Sequence, residues 1–241
     1  MTAWQVAGDQ GLRYRRPMSR SQPTILLTGF GPFPRVPVNA TSILVPRIAA
    51  AAAKAFPDAR VVADVLPTEW TAGPARAAEL YAAHRPLLAI HFGVSHRATG
   101  FAIEARGRNH CAATPDASGA LPASTCISAE GPEYLPTGLP AALIVDRLRR
   151  RGIAAQLSRD AGSYLCNTLM YRTLELARHN EYPARNGFVH LPETLADPRH
   201  PRRGPLASSP LSWTDVIEGG LEIIAASLGR HRYASPQVAL S

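Results

Sequence analysis

Short apolar runs alternate with longer helical stretches over most of this chain, and that alternation leaves few folds open. TILLTGF at 24–30 is apolar and ends in glycine, as a strand buried on both faces does. A Gly/Pro loop follows. SILVPRIAAAAAKA (42–55) then reads as a helix, with Thr41 or Ser42 as its expected cap and Pro46 in its first turn. RVVADVL (60–66) predicts a second strand, 72–84 a second helix and LLAIHF (87–92) a third strand. This βαβαβ order predicts an α/β fold, a single-domain α/β/α sandwich with a mostly parallel twisted sheet and helices on both faces. Residues 99–135 interrupt the rhythm. They are rich in Gly, Ser, Pro and Thr, with short extended pieces near 100–106, and so long an irregular stretch inside a domain usually serves function. A helix at 139–151, a strand at 153–158, a helix at 164–179, a strand at 186–191 and a helix at 213–228 complete the pattern. We therefore expect one domain over 24–230, preceded by a disordered basic extension (1–23) and followed by a tail (231–241). Met18 stands as an alternative start.

Composition supports one folded domain. Of 241 residues, 46% are apolar, enough for a large core and too many for a disordered chain. The net charge of +8 admits two readings, binding to a polyanion or the coding bias of an arginine-rich genome, since Lys54 is the only lysine. Its distribution is uneven. Arg13, Arg15, Arg16 and Arg20 lie in the extension, and Arg199, Arg202 and Arg203 in RHPRRGP. A nucleic-acid groove needs charge spread over the folded elements, so no nucleic-acid partner is expected. The sequence has no run of 18 or more apolar residues that could span a membrane as a helix, and the first residues lack the features of a signal peptide, so a cytoplasmic location is expected. Cys111, Cys126 and Cys166 suit neither a disulfide framework nor a zinc site, and nothing calls for a metal or organic cofactor.

In an open α/β sheet, ligands bind beyond the carboxyl ends of the strands. Three residues able to do chemistry fall at such places. Cys166, in SRDAGSYLCNTLMY, sits in the opening turn of a helix, where free N–H groups and the helix dipole favour a thiolate. It reads equally as a small apolar residue packing that helix. His190 ends the strand GFVH, where a neutral imidazole can take a thiol proton, or can simply sit at the rim with its hydrogen bonds satisfied. His91 on the third strand is its main competitor. Glu104, in FAIEARGRN, can orient an imidazole or pair with Arg106 or Arg108. Together, cysteine, histidine and acid would make an activated thiol for acyl transfer.

Four segments resemble the pyroglutamyl peptidase I (pyrrolidone-carboxylate peptidase) family of cysteine exopeptidases. TGFGPFPRVPVNATS (28–42) resembles the family's opening, with Phe30 and Phe33 at its two aromatic positions. SRDAGSYLCNTLMYRTL (158–174) matches the nucleophile signature, GFVHLP (187–192) the histidine segment, and HFGV…FAIEARGRN (91–109) more loosely the glutamate segment, with PDASG (115–119) after it. The likeness covers roughly residues 24–228, in family order. It implies Cys166 as nucleophile, His190 as base and Glu104 as the acidic member. Phe30, Phe33 and Val94 would line the substrate site. The implied substrate is a peptide bearing an N-terminal pyroglutamyl residue, and the implied assembly a homo-oligomer, tetramer or dimer. Two departures mark a divergent branch. Ala113 stands where many members carry an arginine associated with the oxyanion, and Ala105, Arg106 and Gly107 replace the usual residues after the glutamate. Arg97, Arg106 and Arg108 are the candidates to compensate from neighbouring positions; without compensation, weak activity or a changed substrate is expected. The alternatives are a thiol hydrolase of the same fold acting on another acyl amide, and a non-catalytic binding protein.

Overall fold

Every residue of β1 (Thr24–Phe30) is buried, because the strand has a neighbour on each side and helices over both faces. Its side chains alternate between two cores, Ile25 and Leu27 in one and Leu26 and Phe30 in the other. The computed structural model describes residues 22–33, 36, 38–179, 184–193, 195, 211–231 and 233. Met18 and the rest of the expected extension up to residue 21, the RHPRRGP segment and the tail beyond residue 233 lie outside the described residues.

Numbering strands along the chain, β1 pairs in parallel with β2 (Arg60–Leu66) and with β3 (Leu88–Ser95). β3 pairs in parallel with β8 (Arg185–Pro192). β4 (Phe101–Glu104) and β7 (Ala155–Ser158) extend the sheet to the order β2-β1-β3-β8-β4-β7. The sheet is mostly parallel, as expected, with one correction. β4 pairs antiparallel with β8 and parallel with β7, so β4 and β7 both run against the other four strands. The carboxyl end of β7 therefore does not lie with those of β1, β3 and β8.

The helices α1 (Ala40–Ala55), α3 (Ala141–Arg150) and α5 (Trp213–Ser227) supply one core, and α2 (Ala72–His84) and α4 (Leu165–His179) the other. α1 begins two residues earlier than its composition suggests. Asn39 is the cap, its side chain accepting from the Thr41 N–H at 3.1 Å and the Thr41 hydroxyl at 2.9 Å. Pro46 consequently falls in the second turn, where it has no N–H to offer the Ser42 carbonyl, and it sits on the exposed side. Inside the irregular segment, β5 (Arg106–Arg108) pairs antiparallel with β6 (Tyr134–Pro136) and closes the base of the loop 109–133.

Candidate active site

Cys166 is the second residue of α4, and a chain that turns back on itself delivers it there. After β7, residues 159–164 climb to the carboxyl ends of the central strands. Gly162, at φ +82°, makes the turn, and its N–H bonds the Asp160 carboxylate at 3.0 Å. α4 then descends along β8, with Thr173 reaching Asn186 near the start of that strand at 3.4 Å. Asn167 ties the helix start to β5. Its side-chain oxygen accepts from the Arg108 N–H at 2.8 Å, and its amide donates to the carbonyls of Arg108 and His110 at 2.8 and 2.9 Å.

The floor under the thiol is Gly93. A Cβ there would meet Phe188 Cζ at 2.8 Å and Cys166 Sγ at 3.0 Å, so only glycine leaves room for the sulfur. Gly93 pairs with His190 across β3 and β8, which puts the imidazole on the same face as the thiol. His190 is buried, with its Nδ1 2.8 Å from Glu104 Oε1. Burial by itself would push the imidazolium to lower pKa. The Cys166 sulfur, by charge and by hydrogen bond, and Glu104, by hydrogen bond and charge, outweigh it and raise His190 to about 9.

Glu104 is also buried, and it faces His190 rather than an arginine. Arg106 donates to the Arg159 carbonyl at 3.2 Å and stacks over Tyr134 at 4.0 Å. His91, the competing histidine, is part of the core. Its Nδ1 meets the Thr28 hydroxyl at 2.7 Å and its Nε2 the Tyr81 hydroxyl at 3.3 Å, and burial holds it neutral, its pKa lowered to about 3. Of the other cysteines, Cys111 is buried with its thiol on the Ser124 carbonyl, and Cys126 is exposed on the same loop. Among the described residues no group of three or more His, Cys, Asp or Glu is arranged to hold a metal ion. No helix among them is long and apolar enough to cross a membrane.

Cys166 and His190 open into a cavity of about 720 Å³. Phe30, Phe33, Val94 and Arg97 line it. Arg106 and Arg108 do not. Ala112 and Thr114 contribute to the wall, whereas Ala113 between them is exposed and does not line it. Residues not singled out from the sequence also contribute, chiefly Tyr164, which packs edge-on against Trp70 at 5.1 Å, and Asp160. Both lie inside the segment 158–174, so their position beside Cys166 was the available signal.

A family model described as pyroglutamyl peptidase matches residues 23–200. The chain belongs to the pyroglutamyl peptidase family. A pyrrolidone-carboxylate peptidase of Cupriavidus taiwanensis is 35% identical over 190 residues, covering 77% of this chain and 86% of that protein. Pyroglutamyl peptidase I from Bacillus amyloliquefaciens superposes with a TM-score of 0.75 at 28% identity, covering 86% of this chain and 96% of that one. A mutant pyrrolidone carboxyl peptidase from Pyrococcus furiosus gives 0.74 at 27% identity, covering 86% and 98%. The pyroglutamyl peptidase match ends at residue 200, before α5, whose residues Leu221, Ile223 and Ile224 complete one of the two cores.

Proposed function

We propose that this protein is a cysteine omega-peptidase that hydrolyses the bond behind an N-terminal pyroglutamyl residue, with Cys166 as nucleophile, His190 as acid–base and Glu104 as the group that orients the imidazole. The observation that carries the reading is the buried pair of His190 and Glu104 at 2.8 Å, facing the thiol across Gly93 at the floor of the cavity. Pyroglutamate is a neutral lactam with no amino charge, so its site needs no carboxylate partner. The aromatic walls of Phe30 and Phe33 suit it.

In this mechanism His190 takes the thiol proton and the sulfur attacks the scissile carbonyl carbon. The carbonyl electrons move to oxygen, which the unpaired N–H groups of the first turn of α4 receive. The C–N bond then breaks as His190 returns the proton to the leaving amine. Water, deprotonated by His190, displaces the sulfur and frees pyroglutamate. Glu104 stays ionised and stabilises the imidazolium. A thiol nucleophile must remain reduced, which suits the cytoplasm.

Purified protein in thiol reductant is expected to cleave a pyroglutamyl-arylamide. Cys166→Ala should lower kcat by about a thousandfold or more, and Glu104→Gln by roughly a hundredfold or more. Unchanged turnover by Cys166→Ala would overturn the assignment. The wall segment 112–114 brings no cation to the cavity, and this favours a second reading, thiol hydrolysis of another acyl amide. A panel of aminoacyl and lactam arylamides separates the two, because cleavage confined to the pyroglutamyl compound excludes the second.

A further inference from the structure

The strand order gives the cavity a direction. Across the face under α4, Phe30 lies on β1, Gly93 and the thiol above it on β3, His190 on β8 and Glu104 on β4. An acid that protonates a leaving amine must sit on the leaving side. If the lactam lies against Phe30 and Phe33, the departing peptide extends over β8 and β4. The loop from β3 to β4, which spans the position of β8 in the sheet, and the segment after β7, the neighbour of β4, contribute Arg97 and Asp160 to the cavity wall.

These two side chains form an ion pair, Arg97 Nη1 to Asp160 Oδ2 at 2.8 Å. Both oxygens of Asp160 are committed, Oδ2 to Arg97 and Oδ1 to the Gly162 N–H at 3.0 Å. The Arg97 bond comes first among the influences that hold the Asp160 carboxyl below the ordinary aspartate range, followed by that N–H, with the charge of Arg108 adding to both. Asp160 thus ties Arg97 to the turn at Gly162. A guanidinium has five N–H donors, and one of them goes to Asp160. The side chain lines the cavity and is 65% accessible, which leaves its other donors open to a ligand.

We propose that Arg97, held in place by Asp160, binds the main-chain carboxyl group of the residue behind pyroglutamate and so favours pyroglutamyl dipeptides, in which that group is a free carboxylate. The inference rests on the proposed peptidase activity and adds a substrate class to it. A guanidinium bonds a carboxylate more strongly than a neutral carbonyl, and can grip it through two parallel N–H donors. Exposure screens the charge, and Glu193, also in the cavity lining, opposes a second anion. The expected preference is therefore modest, about fivefold in kcat/KM for a dipeptide over its C-terminal amide.

The test compares pyroglutamyl-alanine with pyroglutamyl-alanine amide, using wild type, Arg97→Ala, Arg97→Lys and Asp160→Asn. The wild type should favour the acid through KM. Arg97→Ala should bring the ratio to about one, and Arg97→Lys should restore part of it. Asp160→Asn, which loosens the anchor, should lower the ratio with Arg97 still present. A purely structural role for Arg97 would depress both substrates alike and leave the ratio unchanged, and that result overturns the proposal, as does a wild type with no preference for the acid. Wild-type cleavage of the pyroglutamyl-arylamide is read in parallel, so failure of the peptidase assignment is seen separately.

Discussion

His190 is held between opposing influences, and its charge state depends on which neighbours remain. Burial disfavours the imidazolium, while Cys166 and Glu104 favour it strongly enough to raise it to about 9. In Cys166→Ser the neighbouring group is an uncharged hydroxyl, so burial regains ground and the imidazolium should lose its proton at a lower pH. Histidine NMR across the pH range reads this directly, and a titration still near 9 would show that the sulfur is not the cause. Gly93 makes a second prediction at this scale. Its missing Cβ is the space the sulfur occupies, so Gly93→Ala should displace the thiol and cut kcat/KM by roughly a hundredfold while the protein still folds. A melting curve close to wild type beside undiminished activity would contradict it. His190 and Glu104 were legible as candidates in the sequence because each is a polar residue at the end of a short apolar run. Only Glu104 ends its strand; β8 continues past His190 through Leu191 and Pro192, which stay buried and paired with β3. The choice between His190 and His91 was not legible, since both sit on apolar strands, and only the Thr28 and Tyr81 hydroxyls around His91 mark it as core.

The loop 109–133 shows how an irregular element is held without secondary structure. Asp116 is buried and accepts from the Trp70 N–H at 2.9 Å, from the Ser118 N–H and hydroxyl at 2.9 and 2.7 Å, and from the Ala120 N–H at 3.0 Å. Desolvation raises its pKa, but these bonds outweigh it and the net direction is down. A carboxylate with a depressed native pKa stabilises the fold above the unfolded value of about 3.9 and loses that contribution as pH falls through the native one. Asp116→Asn should cost about 1–3 kcal/mol at neutral pH, with the gap to wild type narrowing in acid. Urea unfolding at two pH values measures it, and a gap that stays constant would refute the account. Element types were legible because periodicity is local: all five helices and the apolar strands fall within a few residues of their expected spans. The start of α1 was missed because Asn39 caps it from inside a Gly/Pro-rich loop that looks like coil.

For the molecule as a whole, a neutral buried histidine sets a limit in acid. His91 has a native pKa of about 3 against an unfolded value of 6.5. The unfolded chain therefore binds a proton that the native one refuses. Stability is kept above about pH 6.5 and falls below it, by up to about 1.4 kcal/mol per pH unit, until the native pKa is reached. Thermal unfolding between neutral pH and about pH 4 should show this slope in wild type and a flatter one in His91→Gln, and equal slopes would exclude His91 as the source. The charge of the chain also looks different at this scale. Arg147 and Arg151 converge on the buried Glu222, Arg230 pairs with Asp58 and Arg97 with Asp160, so arginines of the folded domain are largely used within it. The sequence by itself determined the α/β class, the order of elements and the family-like segments in which the candidate cysteine, histidine and glutamate stand, because each is written in local periodicity or a short motif. Only the tertiary structure decided the reversed direction of β4 and β7, the glycine floor under the thiol, the pairing of Glu104 with His190 instead of an arginine, and the separation of Arg97 at the cavity from Arg106 on Tyr134. Those are relations between residues 54 to 88 positions apart or between neighbours whose side chains diverge, and no local pattern encodes them. Strand direction and side-chain partners are settled when the apolar faces pack and each buried polar group must find its bond.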